Sequence, residues 1–260
     1  MPLFNKAQFV RDAVSSVQSQ TYPNWELVIV DDGSTDSSWT IVNALDDPRI
    51  VVIRQPNKGV SAARNTALQL MKGSFFCFLD ADDILTPNSI EVRLNLFKTK
   101  PDTDFVDGVV EVYDPSMMNR LRTFKPSCTG NPFRHLVRLE ASCFFGPSWL
   151  VRKKEGYPYR FDETITHGED LLFYLDISRT GGHYDYVEET ILNYRKGMQA
   201  AMSDLDGLAM GYDYISRQIA AWTNVSPTDR LVNKFRKRKI MFLSYLHSQS
   251  YRKAFQSLLK

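Results

Sequence analysis

Apolar residues recur at helical spacing at the start of the chain, then switch to short unbroken runs. Phe9, Ala13, Val14 and Val17 share one face of a helix predicted over 7–20, which Tyr22-Pro23-Asn24 ends. Residues 25–30 read as a buried strand. A helix follows with Trp39, Val42 and Leu45 inward, capped by Ser34 or Asp36. Residues 49–53 form the next strand and 55–59 a loop. Val60, Ala63, Ala67 and Leu70 mark a helix over 60–72 that Gly73 stops. The apolar run 75–79 predicts a strand buried on both faces, and Thr86-Pro87 leads into a helix over 89–98. Strands alternating with helices in this way predict right-handed βαβ crossovers and an α/β fold on a parallel sheet.

The rhythm changes past Pro101. Residues 104–113 and 120–124 predict antiparallel strands joined by a Met-rich turn. Asn131-Pro132 starts a helix to about residue 139, and 142–152 is strand-like. Leu171, Leu172 and Leu175 face inward from a helix over 168–179, and 184–187 and 191–195 are short strands. From 204 onward the pattern is helical, broken at Ser226-Pro227. The organisation expected is a first half over 1–100, a second half over 101–203 packed on it, and a helical C-terminal extension over 204–260.

Carboxylates collect where strands end. Asp80, Asp82 and Asp83 follow the 75–79 run, and Asp31-Asp32 ends the strand over 25–30. Both sets are expected at one edge of the parallel sheet, where open α/β folds bind ligands. Acids this close repel one another, and a hard divalent cation bound through oxygen relieves the repulsion. Lys58-Gly59 and Arg64 can bring positive charge to the same edge. Each feature also has a plainer reading: a solvated acidic turn, a helix cap, a solvated helix residue.

At 260 residues and 43% hydrophobic, the chain can bury a substantial core. Its net charge of +2 does not point to nucleic acid. Cys77, Cys128 and Cys143 have no metal-like spacing, which predicts a reducing cytoplasm. No segment has transmembrane length, the N-terminus lacks an apolar signal core, and His135, His167 and His183 read as structural or solvated. From Arg230 onward there are nine Lys or Arg and no acid. Leu231, Phe235, Phe242 and Leu246 recur at helical spacing, with Arg236, Lys237, Arg238 and Lys239 between them. Such a helix either lies on the inner face of an anionic membrane, as a peripheral contact, or simply covers the core.

Taken together, these stretches resemble the family 2 glycosyltransferases, inverting enzymes of the GT-A fold. The matching residues are Pro2-Leu-Phe-Asn-Lys6, residues 20–36 ending Val30-Asp-Asp-Gly-Ser-Thr-Asp36, Asn57-Lys-Gly59, Ala63-Arg-Asn65 and Leu79-Asp-Ala-Asp-Asp83. Arg160-Phe-Asp-Glu163, Gly168-Glu-Asp170 and Tyr194-Arg195 follow. The resemblance covers about residues 2–203. It implies a nucleotide-binding half (1–100) and an acceptor half (101–203).

The resemblance further implies that Pro2 and Phe4 lie at the nucleotide, with Phe4 stacked on the base and Asp32 hydrogen-bonded to it. Lys58 and Arg64 would sit beside the nucleotide and Asp80 near its ribose and diphosphate. Asp82 would be the direct ligand of Mn²⁺ or Mg²⁺, and Asp170 the general base. The implied reaction is metal-dependent hexosyl transfer from a nucleotide sugar, most often a UDP-sugar, to a glycan or lipid-linked acceptor in surface polysaccharide or glycoconjugate synthesis. Rival readings are an inactive nucleotide-binding scaffold and a nucleotidyltransferase.

The chain departs from the family in two places. Lys196-Gly-Met-Gln-Ala-Ala-Met-Ser203 carries no histidine after Tyr194-Arg195. The chain also opens where the family's first strand ends, so a gap in the sheet, or a patch by another segment, is expected.

Overall fold

A computed structural model describes residues 1–197 and 204–259. Its strands fall into two sheets. The first is wholly parallel and three-stranded, in the order β1-β2-β3: β1 (Pro2–Leu3), β2 (Leu27–Asp31) and β3 (Ile50–Arg54). Every residue of β2 is buried, as a doubly covered parallel strand requires. Helix α1 (Val10–Gln18) buries Val10, Ala13, Val14 and Val17, while α2 (Ser38–Asn43) and α3 (Val60–Leu70) complete the crossovers.

The expected gap lies beyond β1: among the described residues β1 ends the first sheet and β4 ends the second, with no pairing between them. The Met1 ammonium donates to the Val28 carbonyl at 2.8 Å. Val30 N–H donates to the Met1 carbonyl at 3.0 Å and Asp32 N–H to that of Leu3 at 2.8 Å. Residues 1–3 therefore pair with Val28, Val30 and Asp32 along one edge of β2.

The second sheet is mixed. Its order is β4-β8-β6-β9-β5, with β7 also on β6. The members are β4 (Phe75–Phe76), β5 (Ile84–Leu85), β6 (Phe105–Tyr113), β7 (Arg120–Phe124), β8 (Leu150–Arg152) and β9 (Tyr184–Arg195). Only β6 and β9 pair in parallel here, and β4 runs antiparallel to β8. The 75–79 run therefore does not extend the parallel sheet, and ladder pairing stops at Phe76. The residues beyond it still alternate. Phe78 joins a cluster with Trp149, Phe161 and Phe173, and Leu79 joins another with Leu3, Val14 and Ile29. Packing against two cores, not sheet pairing, buries this run.

Two short strands merge into the single β9. Gly108 permits this, because a Cβ there would lie 2.6 Å from Ile191 Cγ2. The strand-like stretch over 142–152 contracts to β8, and the helix over 131–139 contracts to α5 (Phe133–Val137). Helices α4 (Ser89–Thr99) and α6 (Glu169–Arg179) match expectation closely.

The C-terminal part is helical: α7 (Leu205–Ala221), α8 (Pro227–His247) and α9 (Tyr251–Leu259). Ser226 caps α8 by accepting from Asp229 N–H at 3.1 Å, with Pro227 in the first turn. Ile215 and Ile219 of α7 are buried in the core that holds Leu171 and Leu172. Gly211 lets α7 approach α6, since a Cβ there would sit 2.1 Å from the His167 carbonyl oxygen.

Candidate active site

A cleft of about 660 Å³ opens where the two sheets meet. One wall carries Pro2, Phe4, Lys6, Asp32 and Arg64, and residues 78–83 form part of its lining. The other carries Arg122, Phe145, residues 166–170 and Tyr194. Of the residues that the resemblance implies, Pro2, Phe4, Asp32, Arg64, Asp80, Asp82 and Asp170 line it. The two acid sets are brought together although they follow strands of different sheets.

Local hydrogen bonds shape the first wall. Asn5 takes the left-handed conformation, φ 51°, which asparagine tolerates better than most residues. Its amide oxygen accepts from Thr35 N–H at 2.8 Å, and its own N–H donates to Ser34 Oγ at 3.0 Å. That clamp leaves Phe4 44% exposed at the cleft. Asp32 is buried and accepts from Gln55 Nε2 at 2.7 Å, Lys58 N–H at 3.0 Å and Gly59 N–H at 2.7 Å. Lys58 thus contributes its backbone to the site. Its exposed side chain is not part of the lining.

The acidic loop is neutralised by protein groups, one acid at a time. Arg64, buried, donates to Asp80 Oδ1 at 3.0 Å and to Glu169 Oε1 at 2.9 Å. Burial lowers the guanidinium pKa while Asp80 and Glu169 raise it, and the charges prevail. Lys6 Nζ lies 2.5 Å from Asp82 Oδ2. Asp83 is buried, and that burial, with Asp80 nearby, holds its carboxyl well above the usual range.

Arg195 secures the loop from behind. Its N–H donates to Asp83 Oδ1 at 2.9 Å and its Nε to the Asp82 carbonyl at 3.0 Å. Its other nitrogens reach the Pro115 carbonyl at 2.8 Å and Asp12 Oδ2 at 3.1 Å.

Among the described residues, no group of three or more His, Cys, Asp or Glu is arranged to hold a metal ion. Mg²⁺ needs less than that: it is held by one or two carboxylates, with water and substrate phosphates completing the shell. Asp82 fits this donor set. Its side chain is 20% exposed at the cleft and is paired with Lys6.

Asp170 occupies the first turn of α6, entered through Gly168 at φ 76°. Its Oδ1 accepts from Leu171 N–H at 2.7 Å. Loss of hydration, reinforced by Glu169 and opposed by Arg64, pushes its pKa up to about 7. A carboxylate with that affinity for protons can act as a general base near neutrality.

Some cleft residues had no role assigned from sequence. Lys6, Glu169 and Arg195 lay inside the family-like stretches, but their partners are distant in the chain. Arg122 and Phe145 carried no sequence signal at all. His167, read as structural or solvated, lines the cleft. Of the stretch after Arg195, residues 198–203 lie outside the described residues.

Comparison with known proteins identifies the family and the fold. The model of "Glycosyl transferase family 2" matches residues 1–155. Glycosyltransferase GlyG of Streptococcus pneumoniae serotype 4 is 38% identical over 239 residues, covering 83% of this chain and 75% of the relative. An Escherichia coli protein, UDP-Glc:alpha-D-GlcNAc-diphosphoundecaprenol beta-1,3-glucosyltransferase WfgD, is 38% identical over 113 residues, covering 43% of this chain and 44% of its own.

Two solved structures share the fold. Staphylococcus aureus TarS in complex with UDP-GlcNAc has a TM-score of 0.70 at 18% identity, over 94% of this chain and 69% of that one. The mannosyltransferase PcManGT of Pyrobaculum calidifontis, in complex with GDP-Man and Mn²⁺, has a TM-score of 0.65 at 16% identity, over 99% and 72%. A GT-A-like fold, a cleft lined by Asp80, Asp82 and Asp170, and a family match over the first 155 residues lead to one assignment: the chain belongs to glycosyl transferase family 2.

Proposed function

We propose that this enzyme transfers a hexose from a UDP-sugar to an acceptor hydroxyl with inversion, on a glycan or lipid-linked acceptor of surface polysaccharide synthesis. The observation that carries the reading is the Arg64 bridge. One buried guanidinium binds Asp80 on the donor wall and Glu169, the neighbour of Asp170, on the other. A base facing the donor acids across one cleft is the arrangement that single-step inversion requires.

In this reading Phe4 and Pro2 receive the nucleotide base, with Asp32 beside it. Asp32 already holds three donors, so a fourth, from the base, completes its accepting capacity. Asp80 and Arg64 lie toward the ribose and diphosphate. Lys58 orders the loop through its backbone. Asp170 takes the proton from the acceptor hydroxyl as that oxygen attacks the anomeric carbon. Asp82 would hold a Mn²⁺ or Mg²⁺ ion, which would supply positive charge for the departing diphosphate. Lys6, released from Asp82, stays close to the same charge. The reading places the reaction at the cytoplasmic face of a membrane, where a lipid-linked acceptor is presented. The name of WfgD, with its diphosphoundecaprenol acceptor, supports that class.

The test is a panel of nucleotide sugars with Mn²⁺, read by thermal shift and by release of nucleotide diphosphate. The anomeric configuration of the product is then read by NMR. A UDP-sugar that stabilises the protein and is turned over with inversion is the expected result. Binding with no turnover on any lipid-linked acceptor would leave a nucleotide-binding scaffold instead, and retention would remove Asp170 from the role of base.

A further inference from the structure

The C-terminal helices leave an apolar ridge in water. Tyr251, Phe255 and Leu258 of α9 are 60%, 64% and 41% exposed. At spacings of four and three they lie along one helix face. Beside them on the same stripe, Ala254 is fully buried and seats α9 on α8. Phe255 meets Phe242 of α8 with ring centroids 6.0 Å apart. The stripe expected on α8 is divided: Phe242 and Leu246 turn toward the cluster of Leu208, Met241 and Tyr245, whereas Leu231, Phe235 and Leu243 remain exposed. Single exposed apolar side chains are ordinary on a protein surface. A row of them along a short amphipathic helix, continued on its neighbour, calls for a covering partner.

Charge identifies the partner. Arg236, Lys237 and Lys253 are paired with Glu140, Asp213 and Asp206. Lys234, Lys239 and Arg252 have no ion pair among the described residues. From Arg230 onward there is no acid, so beyond those pairs the surplus charge of these helices is basic. A second copy of the chain would bring like charges together, which association disfavours. An anionic bilayer supplies both an apolar layer for Tyr251, Phe255 and Leu258 and negative headgroups for the free bases. Among the described residues no helix is long and apolar enough to cross a membrane, so the contact is an interfacial one.

We propose that α9, with the exposed ridge of α8, docks this enzyme on an anionic lipid bilayer. The contact lies one helix layer from the cleft: Leu208 of α7 lines the cleft and packs in the same cluster as Met241, Tyr245 and Ala254. The purpose of the contact, delivery of a lipid-linked acceptor, rests on the function proposed above. The contact itself does not.

Sedimentation of the full chain with sucrose-loaded vesicles tests it, using phosphatidylcholine alone or with one-third phosphatidylglycerol, at low salt. The chain is expected to sediment with the anionic vesicles only. Tyr251→Ser/Phe255→Ser/Leu258→Ser should abolish binding, and each charge reversal at Lys234, Lys239 or Arg252 should weaken it about fivefold or more. All of these positions are exposed and none lines the cleft, so UDP-sugar binding should not change. Equal sedimentation with neutral and anionic vesicles, or none with either, overturns the proposal. So does a dimer in analytical ultracentrifugation that the triple serine variant dissolves. Vesicle binding needs no turnover, so a failed transferase assay and a failed docking assay are separate results.

Discussion

Arg64 and Glu169 lie 105 residues apart in the chain, yet the guanidinium donates to Glu169 Oε1 at 2.9 Å. The same group holds Asp80 at 3.0 Å. One buried cation therefore ties the helix that carries Asp170 to the loop that carries Asp82.

Removing that cation leaves the mostly buried Glu169 and the partly exposed Asp80 without compensation. Arg64→Met is expected to cost about 3–5 kcal/mol of folding stability, read by urea unfolding. It should also raise the pKa of Asp170, because the charge that opposes its protonation is gone. A wild-type unfolding midpoint would show that the bridge contributes little.

Asp170→Asn keeps the shape of the side chain and removes the proposed base. Transfer should fall by roughly 10²- to 10⁴-fold while UDP-sugar affinity, measured by calorimetry, stays within error. In the wild type the rate should rise with pH through about 7, as Asp170 loses its proton. Collapse of donor affinity in the variant would reassign Asp170 to donor binding.

The same shift has a stability consequence of definite sign. Asp170 has a folded pKa of about 7, against about 3.9 for an unperturbed aspartate. Between those values the folded chain keeps a proton that the unfolded chain has released. The stabilisation it contributes is complete at low pH and is lost as pH rises through the folded pKa. Asp170→Asn carries no charge at any pH, so it should melt above the wild type at pH 8, with the gap closing toward pH 4. A constant gap across that range would contradict the assignment.

Asp82→Ala should remove the Mn²⁺-dependent part of UDP binding and abolish transfer. EDTA should reproduce both losses in the wild type. Lys6→Ala, which takes away the cation now paired with Asp82, should retain the Mn²⁺-linked binding. Calorimetry with UDP and Mn²⁺ distinguishes these cases, and unchanged Mn²⁺ linkage in Asp82→Ala would assign the metal to another ligand.

Gly211→Ala tests how closely α7 supports the cleft. An added Cβ would meet the backbone of His167 at 2.1 Å, so α7 must shift away from residues 167–170. Overpacking of this kind costs about 1–3 kcal/mol, and transfer should fall along with the melting temperature. Full activity at a lowered melting temperature would show that α7 stabilises the fold without shaping the site.

Local pattern was enough for most helices and for β2 and β3 of the parallel sheet. Val10, Ala13, Val14 and Val17 bury one face of α1, and the apolar run of β2 is buried throughout. These elements depend on residues a few positions apart, and periodicity reports such neighbours directly. The 75–79 run shows where that ends. Burial was legible in its composition, but its pairing with Val151 and Arg152 was not, because an apolar run carries no record of its partner.

The site divides in the same way. Asp80-Ala-Asp82 and Glu169-Asp170 stood out in the sequence, but the roles expected of them came from the family resemblance, since type and spacing alone allow a solvated acidic turn or an acidic first helical turn. Which charge neutralises which acid was decided only in three dimensions: Lys6 on Asp82, Arg64 on Asp80, and burial on Asp83. Coulomb attraction and desolvation depend on distances through space, and chain separation does not set them. The exposed ridge of α8 and α9 follows the same rule. Helical spacing fixed which residues share a face, and only the packing of Ala254, Met241 and Tyr245 determined which face remained in water.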